Sequence, residues 1–252
     1  MSGHSKWASI KHKKGAADAK RGRLFTKLIR EITVAAKDGG GSPDTNPALR
    51  TAITRANDAN MPKDNIEKAI KKGTGELPGV TYESCAFEGY GPGGVALIAE
   101  ALTDNKNRSS AEIRNIFSKR SGNMAGTGSV AWIFTSKGYI LIDKAQISED
   151  ELFSLSVDAG AEDMKTGDKN YEVFCDPKDF EAVKKAIQDK GLKWETAELT
   201  KIPNSTIKIA GNDAKQLLAL IEALEDHDDV QKVYANFDIP DDVLEEMAKE
   251  IE

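Results

Sequence analysis

The sequence predicts a multidomain α+β protein: an N-terminal three-helix bundle followed by two α+β domains, one ferredoxin-like and inserted in the other. Three observations carry that prediction. The chain has 252 residues, and at about 150 residues per compact unit it is long enough for two or three. Its first third shows helical apolar periodicity, whereas the remainder alternates strand-like and helical runs. The charge is also segregated. Residues 1–75 hold 16 Lys/Arg against 7 Asp/Glu, a net of +9, and residues 76–252 hold 19 against 34, a net of −15.

Residues 1–19 mix Gly, Ser and Lys without a sustained apolar period and read as a basic arm. A bundle over 20–75 follows. In its first helix, Lys20–Lys37, the residues Leu24, Phe25, Leu28, Ile29, Ile32, Ala35 and Ala36 share one side. Lys20, Arg23, Lys27, Arg30 and Lys37 share the opposite one, so an apolar face backs a cationic stripe. Gly39-Gly40-Gly41-Ser42-Pro43 stops that helix. Asn46-Pro47 suits the cap and first position of a second helix. Pro62 opens a third, which Lys71-Lys72-Gly73 closes.

Thr74–Gly79 reads as a linker. The middle α+β domain is expected over 80–134 and 203–239, with strands Tyr82–Glu88, Val95–Thr103 and Ser129–Phe134 and a helix Ser109–Lys119. Thr206–Ile209, a helix to Leu224 and Val230–Phe237 complete it. Between them, 135–202 reads strand Tyr139–Asp143, helix Ser148–Ala159, strands Ala161–Lys165 and Tyr171–Cys175, helix Lys178–Lys190 and strand Lys193–Glu198. This βαββαβ order is the ferredoxin-like pattern. Residues 240–252 are expected as a C-terminal helix beginning near Asp241.

Composition narrows the class. At 39% hydrophobic and 30% charged, the chain reads as a soluble globular protein. Its longest apolar runs, such as Val130–Phe134 and Leu217–Ile221, are far short of the about twenty residues of a membrane helix. No apolar segment follows the charged N-terminus as a secretory signal would require. Cys85 and Cys175, too few for a disulfide scaffold or zinc module, read as buried free thiols. A cytoplasmic monomer is expected.

The chemical motifs are few. Gly89, Gly91 and Gly94 match G-x-G-x-x-G, but a strand follows where a helix N-terminus should hold the phosphates, and Pro92 removes a donor. A turn between paired strands is the better reading. Glu225-Asp226-His227-Asp228-Asp229 reads as a solvated acidic loop rather than a metal seat. No nucleophile–base–orienter set appears, so no enzyme activity, cofactor, metal or small-molecule substrate is expected. The excess of basic residues at the N-terminus points to a polyanion. Lys6, Lys11, Lys13 and Lys14 can neutralise phosphates, Trp7 and His12 can stack, and Lys20, Arg21, Arg23, Lys27 and Arg30 extend the basic surface. Gly91, Gly93, Lys106 and Arg108 are secondary contacts. Three alternatives stay open: Trp7 staples the arm to the bundle, the basic segment docks on the protein's own acidic body, or it is merely solvated.

Gly3-His4-Ser5-Lys6-Trp7, Ile10–Lys14, Phe25–Ile32, Asn60-Met61-Pro62, Glu88–Gly94, Thr103–Arg108, Gly128–Phe134, Ala159–Asp163 and Asp229-Val230-Gln231 together resemble the YebC/PmpR family, over essentially the whole chain. Ser121 departs from it, because the family more often has a second glycine there. The resemblance implies three domains and a non-enzymatic, cytoplasmic regulator that binds DNA. It also implies an alternative, since relatives such as the mitochondrial translational activator of cytochrome c oxidase are linked to the ribosome and to relief of stalling at proline-rich sequences.

Overall fold

The computed structural model describes residues 18–239, with side chains from Arg21 onward. The expected arm, apart from its last two positions, and the expected C-terminal helix lie outside the described residues. Helix α1 (Asp18–Gly39) therefore begins two residues earlier than expected and is followed by α2 (Pro47–Asp58) and α3 (Lys63–Gly73). Leu28, Ile32 and Ala36 of α1 are buried with Leu49, Ala52 and Ala56 of α2 and with Met61, Ile66 and Ala69. Asn46 ties the first two helices together. Its Oδ1 accepts from Leu49 N at 3.0 Å, and its Nδ2 donates to Ala35 O at 2.7 Å and Gly40 O at 2.8 Å. The N-cap thus satisfies donors of α2 and acceptors at the end of α1 with one side chain.

Two compact units divide the rest: residues 132–206, and the bundle together with the segments up to 131 and from 207. In the larger unit, β1 (Glu83–Tyr90), β2 (Ala96–Thr103), β3 (Asn123–Met124) and β9 (Val230–Ala235) form an antiparallel sheet in the order β3-β1-β2-β9. Helices α4 (Lys106–Lys119) and α7 (Gly211–Glu225) cover one face, where Phe87, Leu97, Ile113, Phe117, Leu217, Ile221 and Val233 make the core. Short strands β8 (Ile207–Lys208) and β10 (Phe237–Asp238) pair in parallel.

Residues 132–206 hold β4 (Phe134–Asp143), α5 (Glu149–Asp158), β5 (Ala161–Thr166), β6 (Asn170–Cys175), α6 (Phe180–Asp189) and β7 (Trp194–Pro203). The sheet order is β5-β6-β4-β7, all antiparallel, so the first and third strands of the βαββαβ run lie at its centre as in ferredoxin-like sheets. Ile140, Ile142 and Val173 pack there against Leu152, Val183 and Ile187 of the helices. Cys175 is buried and Cys85 half-buried, both free, and burial pushes the Cys175 thiol up to about 11.

The largest departure from expectation lies just before β4. Residues 129–133 form no strand, and β4 starts at Phe134 and runs ten residues. The cause is Glu88, which is buried at 4% exposure. Its carboxylate accepts from Gly128 N at 2.7 Å, Val130 N at 2.7 Å and Ala131 N at 2.9 Å. Backbone donors that a strand would spend on a neighbour are spent on one side chain. Burial alone would raise the Glu88 carboxyl, but these three donors outweigh it and hold the group below its ordinary value.

Ser121 takes a left-handed conformation, φ 57°, at the end of α4. Gly122 N bonds back to Phe117 O at 2.8 Å, which closes the helix in a Schellman-type turn that favours glycine at Ser121. Replacing Ser121 by Gly should raise stability by about 0.5–1 kcal/mol, the cost of a non-glycine residue there less the entropy glycine loses on folding. A higher denaturation midpoint checks this, and an unchanged or lower one contradicts it.

Candidate nucleic-acid interface

Helix α1 presents three residues of its charged stripe to the protein itself. Arg23 pairs with Asp226 at 3.2 Å, and Lys27 Nζ donates to Glu225 O at 2.6 Å. Arg30 donates to Leu102 O at 3.2 Å and Asp228 O at 2.8 Å, forms an ion pair with Asp229, and lies 5.3 Å over the Tyr82 ring. These three residues were expected on a solvent-facing stripe, and the alternative of docking on the acidic body describes them instead. Arg21 remains exposed. Lys20 lies in α1 but its side chain is outside the described residues, as are Lys6, Trp7, Lys11, His12, Lys13 and Lys14.

The buried acceptor for Arg30 is Asp229, only 2% exposed, just before β9. That corrects the expectation of a solvated loop. Besides Arg30, its carboxylate accepts from Arg108 Nη2 at 2.8 Å, Ser109 Oγ at 2.5 Å and Thr103 Oγ1 at 3.2 Å. Residues of α1, β2 and α4 therefore meet on one side chain. The Thr103–Arg108 segment explains itself here. Asn105 caps α4 by accepting from Arg108 N at 3.1 Å, and Thr103 Oγ1 accepts from Asn105 N at 3.0 Å. The cap starts the helix at Lys106 rather than Ser109, which aims Arg108 and Ser109 at Asp229. Arg108 thus pairs with Asp229 within the chain while its side chain stays partly exposed, and Lys106 is exposed as well.

Burial by itself would raise the Asp229 carboxyl. The donors from Ser109, Arg108 and Arg30 reverse that and hold it well below the usual carboxylate range. His227 Nδ1 accepts from Asp229 N at 3.1 Å, which leaves the ring proton on Nε2, 2.9 Å from Glu112 Oε2. Glu112, His227 and Asp229 have the convergence a cation needs. Their ligand atoms are nevertheless committed to hydrogen bonds, and two guanidiniums already supply the positive charge.

The glycine-rich turn is packed rather than open. A Cβ on Gly91 would lie 2.8 Å from Leu217 Cδ1, and one on Gly89 would lie 2.6 Å from Asn123 O. Gly91 is buried and so is no surface contact, whereas Gly93 is exposed with φ 70°. Other described cations of the bundle reach solvent, Lys37 of the α1 stripe and three on α3 that the sequence offers only as helix residues. Lys68, Lys71 and Lys72 stand at i, i+3 and i+4 on α3, and Lys37 and Lys72 line one depression. None of the four forms an ion pair with a described residue. For Lys68, Lys71 and Lys72, spacing on one face of α3 is the signal that finds them.

Residues 5–76 match the TACO1/YebC protein N-terminal domain, and residues 82–237 match the TACO1/YebC second and third domain. The chain belongs to the TACO1/YebC family. A relative from Dictyoglomus turgidum is 57% identical over 98% of this chain and 100% of its own length, and one from Desulfatibacillum aliphaticivorans is 56% identical with the same coverage. Both carry the name "Probable transcriptional regulatory protein". The crystal structure of a conserved hypothetical protein from Aquifex aeolicus, 47% identical, superposes with a TM-score of 0.81 over 92% of this chain and 96% of that one. TACO1/YebC relatives are thus named as regulators, not as enzymes. No described helix is long and apolar enough to cross a membrane.

Asp229→Asn should cost about 3–5 kcal/mol at neutral pH, because it leaves Arg30 facing a neutral group in a buried setting. The sign with pH follows from the depressed carboxyl. Its contribution is complete above the unfolded value of about 3.9 and is lost as pH falls through the lower folded one. Denaturation midpoints of wild type and variant should therefore converge on acidification below about pH 4. A constant gap would contradict the assignment.

Proposed function

We propose that the protein is a non-enzymatic, nucleic-acid-binding regulator of gene expression that binds DNA through its N-terminal segment and bundle. The observation that carries this reading is the charge distribution: a net of +8 in residues 1–30 and −15 beyond residue 75. An acidic body repels a polyanion and a basic end attracts it, which orients the approach. With Arg23, Lys27 and Arg30 engaged by the body, the contact surface is the arm residues Lys6, Trp7, Lys11, His12, Lys13 and Lys14 with Lys20 and Arg21, joined by Lys37, Lys68, Lys71 and Lys72. Lysines on a flexible stem mainly engage phosphates, and no Asn or Gln stands among these residues to read adenine edges, so the binding expected from them tolerates sequence.

A second reading is a ribosome-associated translation factor. It is favoured by the engagement of the α1 stripe, which leaves a scattered lysine surface suited to RNA phosphates rather than a helix offered to a groove. Duplex binding against ribosome co-sedimentation, each across a salt series, separates the two.

Deleting residues 1–14 removes Lys6, Lys11, Lys13 and Lys14. At about 0.9 per neutralised duplex phosphate, or about 0.7 on a single strand, the log–log salt slope should shallow by about 3 units. An unchanged slope would remove the arm from the interface. Trp7→Ala should weaken binding by about 1–3 kcal/mol with little change in slope if the ring stacks. A lower melting temperature instead would assign Trp7 to stapling the arm.

A further inference from the structure

We propose that the outward face of α5 is a docking surface for a protein partner that presents an apolar side chain among lysines or arginines. The inference goes beyond the nucleic-acid reading and concerns a different surface, on the inserted unit. Phe153 and Val157, one helical turn apart, are 52% and 46% exposed. Glu149, Asp150, Ser154 and Asp158 are exposed around them, while Leu152 and Ser156 are buried. The helix holds no basic residue.

Helix α6 supplies the comparison. The βαββαβ order uses the two helices alike, each joining two strands of the sheet and packing on the same core. In α6 the large apolar residues Phe180, Val183 and Ile187 are all buried. Its exposed positions are Glu181, Ala182, Lys185, Gln188 and Asp189. Helix α5 instead buries Leu152, half-buries Leu155 and turns its other two large apolar residues to water. One exposed apolar side chain is ordinary, but two on successive turns of a helix whose counterpart has none make a patch.

Part of the charge has a plainer cause. Glu149, Asp150 and Glu151 lie in the first turn, where the helix dipole favours acids, and Ser148 Oγ donates to Glu151 Oε2 at 3.1 Å. Asp158 has no such reason. It closes the helix at the end where the dipole favours cations, and no basic residue stands in that last turn. The helix thus gives up stability twice at its surface, in apolar area left wet and in an acid at the unfavourable end. A partner that seats an apolar anchor on Phe153 and Val157 and brings a cation to Asp158 relieves both. Other occupants fit poorly. A nucleic acid or an anionic membrane would meet acids with no cation among them, and two copies related by a two-fold axis through this face would set acid against acid.

The test uses the full chain and a synthetic amphipathic helix of leucine and lysine, with a leucine–glutamate counterpart as control, followed by fluorescence anisotropy. The wild type should bind the first and not the second. Phe153→Gln plus Val157→Gln should weaken binding by about ten-fold or more, because two apolar side chains lose their burial against the peptide, and should not lower the melting temperature. Asp158→Lys should weaken binding by about 3–5-fold while raising the melting temperature by about 1–3 °C, a combination that a purely structural role would not give. Wild-type affinity in the Phe153/Val157 variant, no binding of the lysine peptide, or equal binding of the glutamate peptide would overturn the proposal. Self-association of the wild type that is lost in that variant would overturn it too, by making the face an interface between copies.

Discussion

The larger unit turns on one carboxylate withdrawn from water. Asp229 gathers Arg30 from the bundle, Thr103 from the sheet, and Arg108 and Ser109 from the helix that follows it. A lone buried carboxylate is costly, and this one is tolerated because four side chains donate to it. The requirement acts in both directions, since Arg30 is itself largely buried and needs an acceptor. The position of α1 against the sheet is therefore specified by charge as well as by apolar area. Slippage along the helix would strand two opposite charges at once.

Glu88 does for a loop what Asp229 does for a helix. A single side chain from β1 collects three backbone donors of the segment 128–131 and so decides where β4 can begin. Both groups are buried carboxylates that organise chain distant in sequence, and both are held below the ordinary carboxylate range by their donors. The acidic character of the body thus has two parts: surface groups that set the field, and interior ones, Glu88 and Asp229 among them, that set geometry.

What the sequence revealed and what it hid divide along the range of the interaction. Asn46-Pro47 announced α2 because a cap bonds to residues three positions away, and the strand order of the inserted unit followed from alternation and turns. Glu88 looked like any strand glutamate, since its partners lie some 40 residues on. Asp229 was masked by its neighbours: four polar residues before it made the run resemble a solvated loop. The stripe of α1 was found correctly as a stripe. Periodicity reports that a face is charged but not whether water or another part of the chain lies opposite, and here it is the chain for Arg23, Lys27 and Arg30. Lys68, Lys71 and Lys72, which we propose in their place, stand at helical spacing on α3, but the denser basic cluster at the N-terminus overshadows them in the sequence.

The inserted unit is entered and left at the same place. Phe134 pairs with Pro203 in the β4–β7 ladder, and just outside it Asn204 N donates to Ile133 O at 2.8 Å while Asn204 Nδ2 reaches Trp132 O. Entry and exit are thus fastened side by side, as at the base of a hairpin. A tether of a few residues could bridge the gap if everything between were excised, and the excised piece would keep its own sheet and core. Tension reaching it through its two ends would meet the ladder at its last rung and open it pair by pair, like a zip fastener, instead of shearing all its hydrogen bonds together. The segment is thus a cassette in the genetic sense and a soft link in the mechanical one.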